Sequence, residues 1–153
     1  MSLKVEDVMV GQVISVSEMA TVKEAAELMN LHEIGCLIVV NNGNPIGIVT
    51  ETDMMKRVIL GSVDPEKTKV CVIMSSPLIM VDSQMKLEDA SKIMRERKIK
   101  KLPVIENGRL VGLVTITDIV RSPEVMKMMI KTIKRNIIKE LMASIEEKLE
   151  LEK

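Results

Sequence analysis

The sequence predicts an α/β (α+β) fold in which a β-α-β-β-α unit occurs twice and a C-terminal helix follows. Three observations predict it. The first is a repeat: Gly47-Ile48-Val49-Thr50-Glu51-Thr52-Asp53 returns 65 positions later as Gly112-Leu113-Val114-Thr115-Ile116-Thr117-Asp118. Self-similarity at a fixed offset governs every local reading. The offset holds without a gap back to Val8-Met9 and Ile73-Met74, through Ala25 and Ala90, Met29 and Met94, and Asn42-Gly43 and Asn107-Gly108. The second observation is the alternation, inside each copy, of short apolar runs with a helical pattern. The third is a change at Pro123, after which apolar residues recur at helical spacing.

The elements follow in order. Leu3, Val5 and Val8 form an apolar lead-in, and residues 13–16 read as a strand. Thr21-Val22-Lys23-Glu24 has the form of a capping box, the hydroxyl accepting from the third helical amide while Glu24 reaches back. The helix it opens keeps Val22, Ala25, Ala26, Leu28 and Met29 on its inner side and runs to about Leu31. Strands over 37–40 and 46–49 flank Asn41-Asn42-Gly43-Asn44-Pro45, a tight turn because Asn-Gly accepts the positive φ of a hairpin. A second helix is expected over 52–60, ended by Gly61 in the position after the cap. The second half repeats this order: strand 78–81, helix 87–98, strand 102–105, turn 106–109, strand 110–114 and a helix from about Thr117. Lys86 stands where Thr21 stood, so the second long helix loses its cap and should begin less sharply. The organisation is therefore a first repeat over 1–61, a polar linker over 62–70, a second repeat over 71–122 and a tail over 123–153.

Composition narrows the function. A chain of 153 residues, 46% hydrophobic, can build a core, but halves of this size are marginal alone and should share a buried face. Lys plus Arg equals Asp plus Glu at 22 each, so no global basic field draws nucleic acid. Phe, Tyr and Trp are absent, which removes the stacking platforms of single-strand binders. The 14 Met pack flexibly and can sandwich a flat ligand. Cys36 and Cys71 form no CxxC pair and do not recur at the offset, so they read as reduced structural cysteines. His32 is the only histidine and has no partner at metal-ligand spacing. With no Cys-His or Ser-His constellation, an enzyme is not expected. The N-terminus lacks a signal-peptide core and no apolar run is long enough to span a bilayer, so the expected location is the cytoplasm.

The tail carries Met126, Ile130, Ile133, Ile137 and Leu141, widened by Ile138, Met142, Ile145 and Leu149. Its first half holds Lys127, Lys131, Lys134, Arg135 and Lys139, its second Glu140, Glu146, Glu147, Glu150 and Glu152. That order opposes the helix macrodipole and suits antiparallel pairing, so a homodimer helped by the tail is expected. The alternative is a stripe folded back on its own chain; a membrane-surface helix is disfavoured by the absence of Trp and Phe anchors.

The repeated stretch has chemistry of its own. Thr50 ends a strand while Thr52 and Asp53 open a helix, where free amides and partial positive charge gather and anions bind. Hydroxyls add donors, and the Asp53 carboxylate can accept from a ribose diol. A plain N-cap needs the same residue types, and the residues alone do not choose between the two.

The two halves resemble paired CBS domains, named after cystathionine β-synthase, a pair being a Bateman module. The marks are Val5-x-x-Val8-Met9 entering the repeat, Thr21-Val22-x-x-Ala25-x-x-x-Met29, Leu102-Pro103-Val104-Ile105 and the two Gly-h-h-Thr-x-Thr-Asp ends, over about residues 3–121. The resemblance implies two units packed about a pseudo-twofold axis with clefts for adenosine derivatives: AMP, ADP, ATP, S-adenosylmethionine or NAD. It implies regulation of an attached or partner protein, with the nucleotide a regulatory ligand rather than a cofactor. The family roles carry onto Thr50, Thr52, Asp53, Thr115, Thr117 and Asp118 for ribose and phosphate and onto Lys100 and Lys101 for phosphate. Met9, Ile14, Met74 and Ile79 mark the segments that would cover adenine. Repeat 1 has Gly35-Cys36 where repeat 2 has Lys100-Lys101, and Glu51 where repeat 2 has Ile116. The two clefts should therefore be unequal, unless those lysines only face water. The alternative function is an interaction module with empty clefts that uses the C-terminal helix.

Overall fold

A computed structural model, describing residues 2–153, turns the sequence repeat into two three-stranded sheets. In the first half β1 (Ser15–Ser17) runs parallel to β2 (Cys36–Asn41), which pairs antiparallel with β3 (Asn44–Thr50). β4 (Val81–Asp82), β5 (Lys101–Glu106) and β6 (Arg109–Thr115) repeat the arrangement. Asn42, Gly43, Asn107 and Gly108 all take positive φ, the pattern of a two-residue type I′ hairpin.

The long helices α1 (Val22–His32) and α4 (Leu87–Arg97) begin at equivalent positions. Thr21 forms the predicted box: its hydroxyl accepts from the Glu24 amide at 3.1 Å, and Glu24 accepts from the Thr21 amide at 3.0 Å. Lys86 makes no cap bond, yet α4 starts as sharply as α1. The reason is a backbone acceptor from elsewhere. The Leu87 amide donates to the Leu3 carbonyl, as the Val22 amide donates to that of Thr68.

Those bonds belong to an exchange of lead-ins. Leu3, Val5, Val8 and Met9 pack in the core of the second half with Val81, Leu87 and Leu102. Val63, Val70, Ile73 and Met74 pack in the core of the first with Val22, Leu37 and Val49. Antiparallel bridges join Val10 to Leu113 and Ser75 to Ile48, Lys4 to Lys86 and Lys69 to Thr21. Each contact has a counterpart with the two copies interchanged, which defines a pseudo-twofold relation. Gly47 and Gly112 make room for it, since a Cβ on either would lie within 2.9 Å of the crossing Met sulfur and of a backbone carbonyl oxygen. The polar stretch 62–70 is accordingly built into the first half. Pro65 and Thr68 carbonyls accept from the first amides of α1, and Glu66 pairs with Lys23 at 2.9 Å. The halves also meet face to face: Cys36 and Ile38 are buried on the side of β2 away from the α1 core.

The second helix departs from expectation. α2 (Glu51–Asp53) passes at once into a π-helical stretch (Met54–Ile59), in which the Leu60 amide donates to the Met55 carbonyl five residues back. The wider turn moves the left-handed position from Gly61 to Ser62, at φ 54°. Gly61 is required for space instead, because a Cβ there would collide with the Arg57 carbonyl oxygen. Its counterpart α5 (Ile116–Arg121) stays α-helical and ends at Ser122, which caps α6 (Pro123–Leu151) by accepting from the Val125 amide. α6 has no buried residue, so its stripe does not fold back on the chain. Among the described residues no helix is long and apolar enough to cross a membrane.

Candidate functional site

A cleft of about 560 Å³ opens where the two halves meet. One wall is the end of β3 and the start of α2, with Thr50, Thr52 and Asp53; the other is the chain leading into β5, with Lys98, Lys100 and Lys101. Between them the exchanged lead-in supplies Ser75 and an apolar run of Pro77, Leu78 and Ile79. The volume suits a small-molecule ligand, and so does the mixture of apolar wall and few polar groups.

The carboxylate expected to hold a diol is largely engaged by the protein. Asp53 is 7% exposed. Its Oδ2 accepts from the Thr50 amide at 2.9 Å and the Thr50 hydroxyl at 3.1 Å, and Oδ1 accepts from the Ser75 hydroxyl at 3.0 Å. Arg57 adds an ion pair at 3.8 Å while its Nη1 donates to the Ile73 and Met74 carbonyls at 3.1 and 2.6 Å. Thus Asp53 clamps α2 to the lead-in from the other end of the repeat. Asp118 is freer: its Oδ2 accepts from the Thr115 hydroxyl at 2.7 Å, and Oδ1 has no protein donor among the described residues. The difference follows from the residues at the 65-residue offset, because Val10 replaces Ser75 and Ser122 replaces Arg57.

The amide shelf is narrower than a bare helix start. The Glu51 amide donates to the Gly35 carbonyl at 3.1 Å and the Asp53 amide to the Thr50 hydroxyl at 3.2 Å. Thr52 and Thr117 are exposed, with no hydrogen bond from their hydroxyls to the protein among the described residues.

Charge is distributed differently from the pattern within each repeat. Glu51 and the Lys100-Lys101 pair line one cleft rather than two, because the Thr50–Asp53 motif faces the entry of β5 in the opposite repeat. Lys56 and Lys98 join them, so this cleft holds four lysines against Glu51 and Asp53. A Cβ on Gly35 would lie 3.1 Å from the Lys101 ammonium and 3.4 Å from the Glu51 carboxyl carbon. Neither Lys100 nor Lys101 is in an ion pair among the described residues. Burial pushes the Cys36 thiol above its ordinary value, the Lys101 charge opposing and the Glu51 charge adding. At the offset, Lys98, Lys100 and Lys101 correspond to Glu33, Gly35 and Cys36, so of the four cleft lysines only Lys56 has a cationic counterpart, Arg121. Asp118 itself lines a smaller cavity of about 190 Å³ with Asp7 and Arg121.

Of the apolar positions, Ile79 lines the large cleft. Met74 and Met9 lie against Gly47 and Gly112, and Ile14 packs on the first core. Sequence reasoning missed Ser75, Arg57, Lys56 and Lys98. Only Lys98 had a visible signal, the run Lys98-Ile99-Lys100-Lys101. No group of three or more His, Cys, Asp or Glu is placed to hold a metal ion among the described residues.

Comparison with known proteins gives a family match. The CBS domain model matches residues 5–60 and again residues 70–125. The chain is 37% identical over 115 residues to the CBS domain-containing protein YhcV of Bacillus subtilis, covering 75% of this chain and 81% of that one. It is 37% identical over 122 residues to an uncharacterized protein of Methanopyrus kandleri, covering 78% of this chain and 62% of that longer protein. Among solved structures, a hexameric CBS-CP12 protein from bloom-forming cyanobacteria is 31% identical with a TM-score of 0.75, covering 80% of this chain and 68% of that one.

Proposed function

We propose that this chain, which belongs to the CBS-domain family as a tandem pair, is a regulatory module that binds an adenosine-containing ligand. The candidates are AMP, ADP, ATP, S-adenosylmethionine and NAD. The observation that carries the reading is the 560 Å³ cleft, which sets the Thr50 and exposed Thr52 hydroxyls, an apolar wall and four lysines around one space. Pro77, Leu78 and Ile79 suit a flat base, Thr50 and Thr52 suit a sugar and its first phosphate, and the lysines suit further phosphates. The site binds rather than transforms, since Asp53 serves as a cap and no nucleophile-base pair accompanies the acids among the described residues.

Regulation follows from position. The cleft is built from both repeats, so a ligand there favours one arrangement of the halves by its differential affinity for that arrangement. The regulated partner is a protein of the cytoplasm or a domain attached to the chain. The test is thermal unfolding with and without AMP or ATP, because a ligand at about 100 times its Kd adds about 2.7 kcal/mol to stability. A protein with no Trp or Tyr also exposes any co-purifying adenine by its ultraviolet band. A preparation free of that band, with a melting temperature indifferent to saturating nucleotide, refutes the reading. It would leave the second one, an interaction module with empty clefts, which the exposed stripe of α6 favours.

A further inference from the structure

We infer that α6 pairs antiparallel with α6 of a second copy, centred between Ile137 and Ile138, and that the end of each helix seats in a cavity at the root of the other. Three observations converge. The first is the stripe. Ile130, Ile133, Ile137, Ile138, Leu141 and Ile145 are each 45–60% exposed on a helix that has no buried residue. At 1.5 Å per residue its 29 residues extend about 44 Å. A row of this size left in water marks an association surface.

The second observation is register. About a centre between Ile137 and Ile138, Ile130 meets Ile145 of the second copy, Ile133 meets Met142, and Met126 meets Leu149. Ile137 meets Ile138 at the centre, and the exception in the row is Leu141, which falls opposite Lys134. On the flank of the same pairing, Lys131 comes alongside Glu146 and Lys127 alongside Glu150. Bases in the first half and acids in the second oppose the macrodipole of a lone helix. In the antiparallel pair each basic half lies along an acidic half, and a parallel pair would oppose like charges.

The third observation is a place for the helix ends. A cavity of about 420 Å³ lies between the first turns of α6 and the body, lined by Leu3, Leu87, Ile119, Val125, Met129 and Ile133. In this register the second copy's residues 146–151 run past residues 124–129, which brings its Leu149 and Leu151 to that cavity. Leu151 is 81% exposed in the single chain. The inference stands apart from ligand binding, because it concerns the ligand-free protein.

Sedimentation velocity on the ligand-free full chain tests it. The expected species has twice the 17.1 kDa mass of one chain. Ile137→Lys with Ile138→Lys should give a monomer whose body melts unchanged, since both side chains are exposed. Lys131→Glu should weaken the dimer about tenfold by setting acid against Glu146. Adding Glu146→Lys to the same chain should restore it, and these two positions lie too far apart on one helix to pair within it. A monomer at all micromolar concentrations overturns the inference. So does a dimer indifferent to the Ile changes, a charge exchange without rescue, or a monomer that floats with anionic phospholipid vesicles.

Discussion

Asp53 and Asp118 occupy the same place in the repeat, but their removal should have unequal consequences. Asp53 accepts from the Thr50 amide, the Thr50 hydroxyl and the Ser75 hydroxyl, and is almost completely buried. Hydrogen bonds to a charged group contribute about 1.5–3 kcal/mol net, and a buried donor left unpaired costs about 1–3 kcal/mol. Asp53→Ala removes the anchor of α2 and of the residue 70–75 lead-in together, so we expect a loss of about 3 kcal/mol. For a chain of this length that lowers Tm by roughly 6–12 °C. Among the described residues Asp118 accepts only from the Thr115 hydroxyl, and that hydroxyl still receives the amide of residue 118 after truncation. Asp118→Ala should cost about 1 kcal/mol, or roughly 2–4 °C. Far-ultraviolet circular dichroism melts of the ligand-free variants measure both. Equal shifts, or a larger one for Asp118→Ala, would refute the assignment of Asp53 to the fold.

Three further outcomes follow from the packing and the thiol environment. Lys86→Thr supplies the hydroxyl that α4 lacks and should raise stability by about 1 kcal/mol in a urea titration; a loss would mean that the Leu3 carbonyl and the new cap compete. Gly47→Ala places a Cβ 2.7 Å from the Met74 sulfur and 2.9 Å from the Ser75 carbonyl oxygen. It should cost about 1–3 kcal/mol, and Gly112→Ala should cost a similar amount, because Met9 and Val10 crowd it in the same way. Cys36 should react with iodoacetamide more slowly than the half-buried Cys71, its own rate rising only above the ordinary thiol value. Because the folded thiol holds its proton to higher pH than the unfolded one, stability falls as pH rises through and beyond the ordinary thiol value.

The repeat made much of the fold legible. The order of elements along the chain, both Asn-Gly hairpins and the Thr21 box were open to reading because each depends on neighbours within a few residues. The exchange of lead-ins was not, because nothing local in Leu3 to Met9 says which of two similar cores it enters. The π-helical stretch was hidden too: Arg57, within it, bonds to a segment sixteen and seventeen residues on, which no local pattern announces. The site was half legible. The motif showed which residues stand at the strand end, but pairing Glu51 with Lys100 and Lys101 required the pseudo-twofold contact across the cleft. The exposed face of α6 was visible as a stripe, and its lack of a partner within the chain only in three dimensions.

The claim on which the account rests is that one cleft joins the Thr50–Asp53 corner of the first repeat to the lysines of the second. Calorimetric titration of AMP and of ATP into the wild-type chain and into the Lys100→Ala, Lys101→Ala variant tests it most directly. The account predicts that ATP loses more affinity than AMP, by about tenfold or more, since its added phosphates are what the lysines meet. Nucleotide binding that is unchanged in the variant, or weakened equally for both ligands, would contradict it.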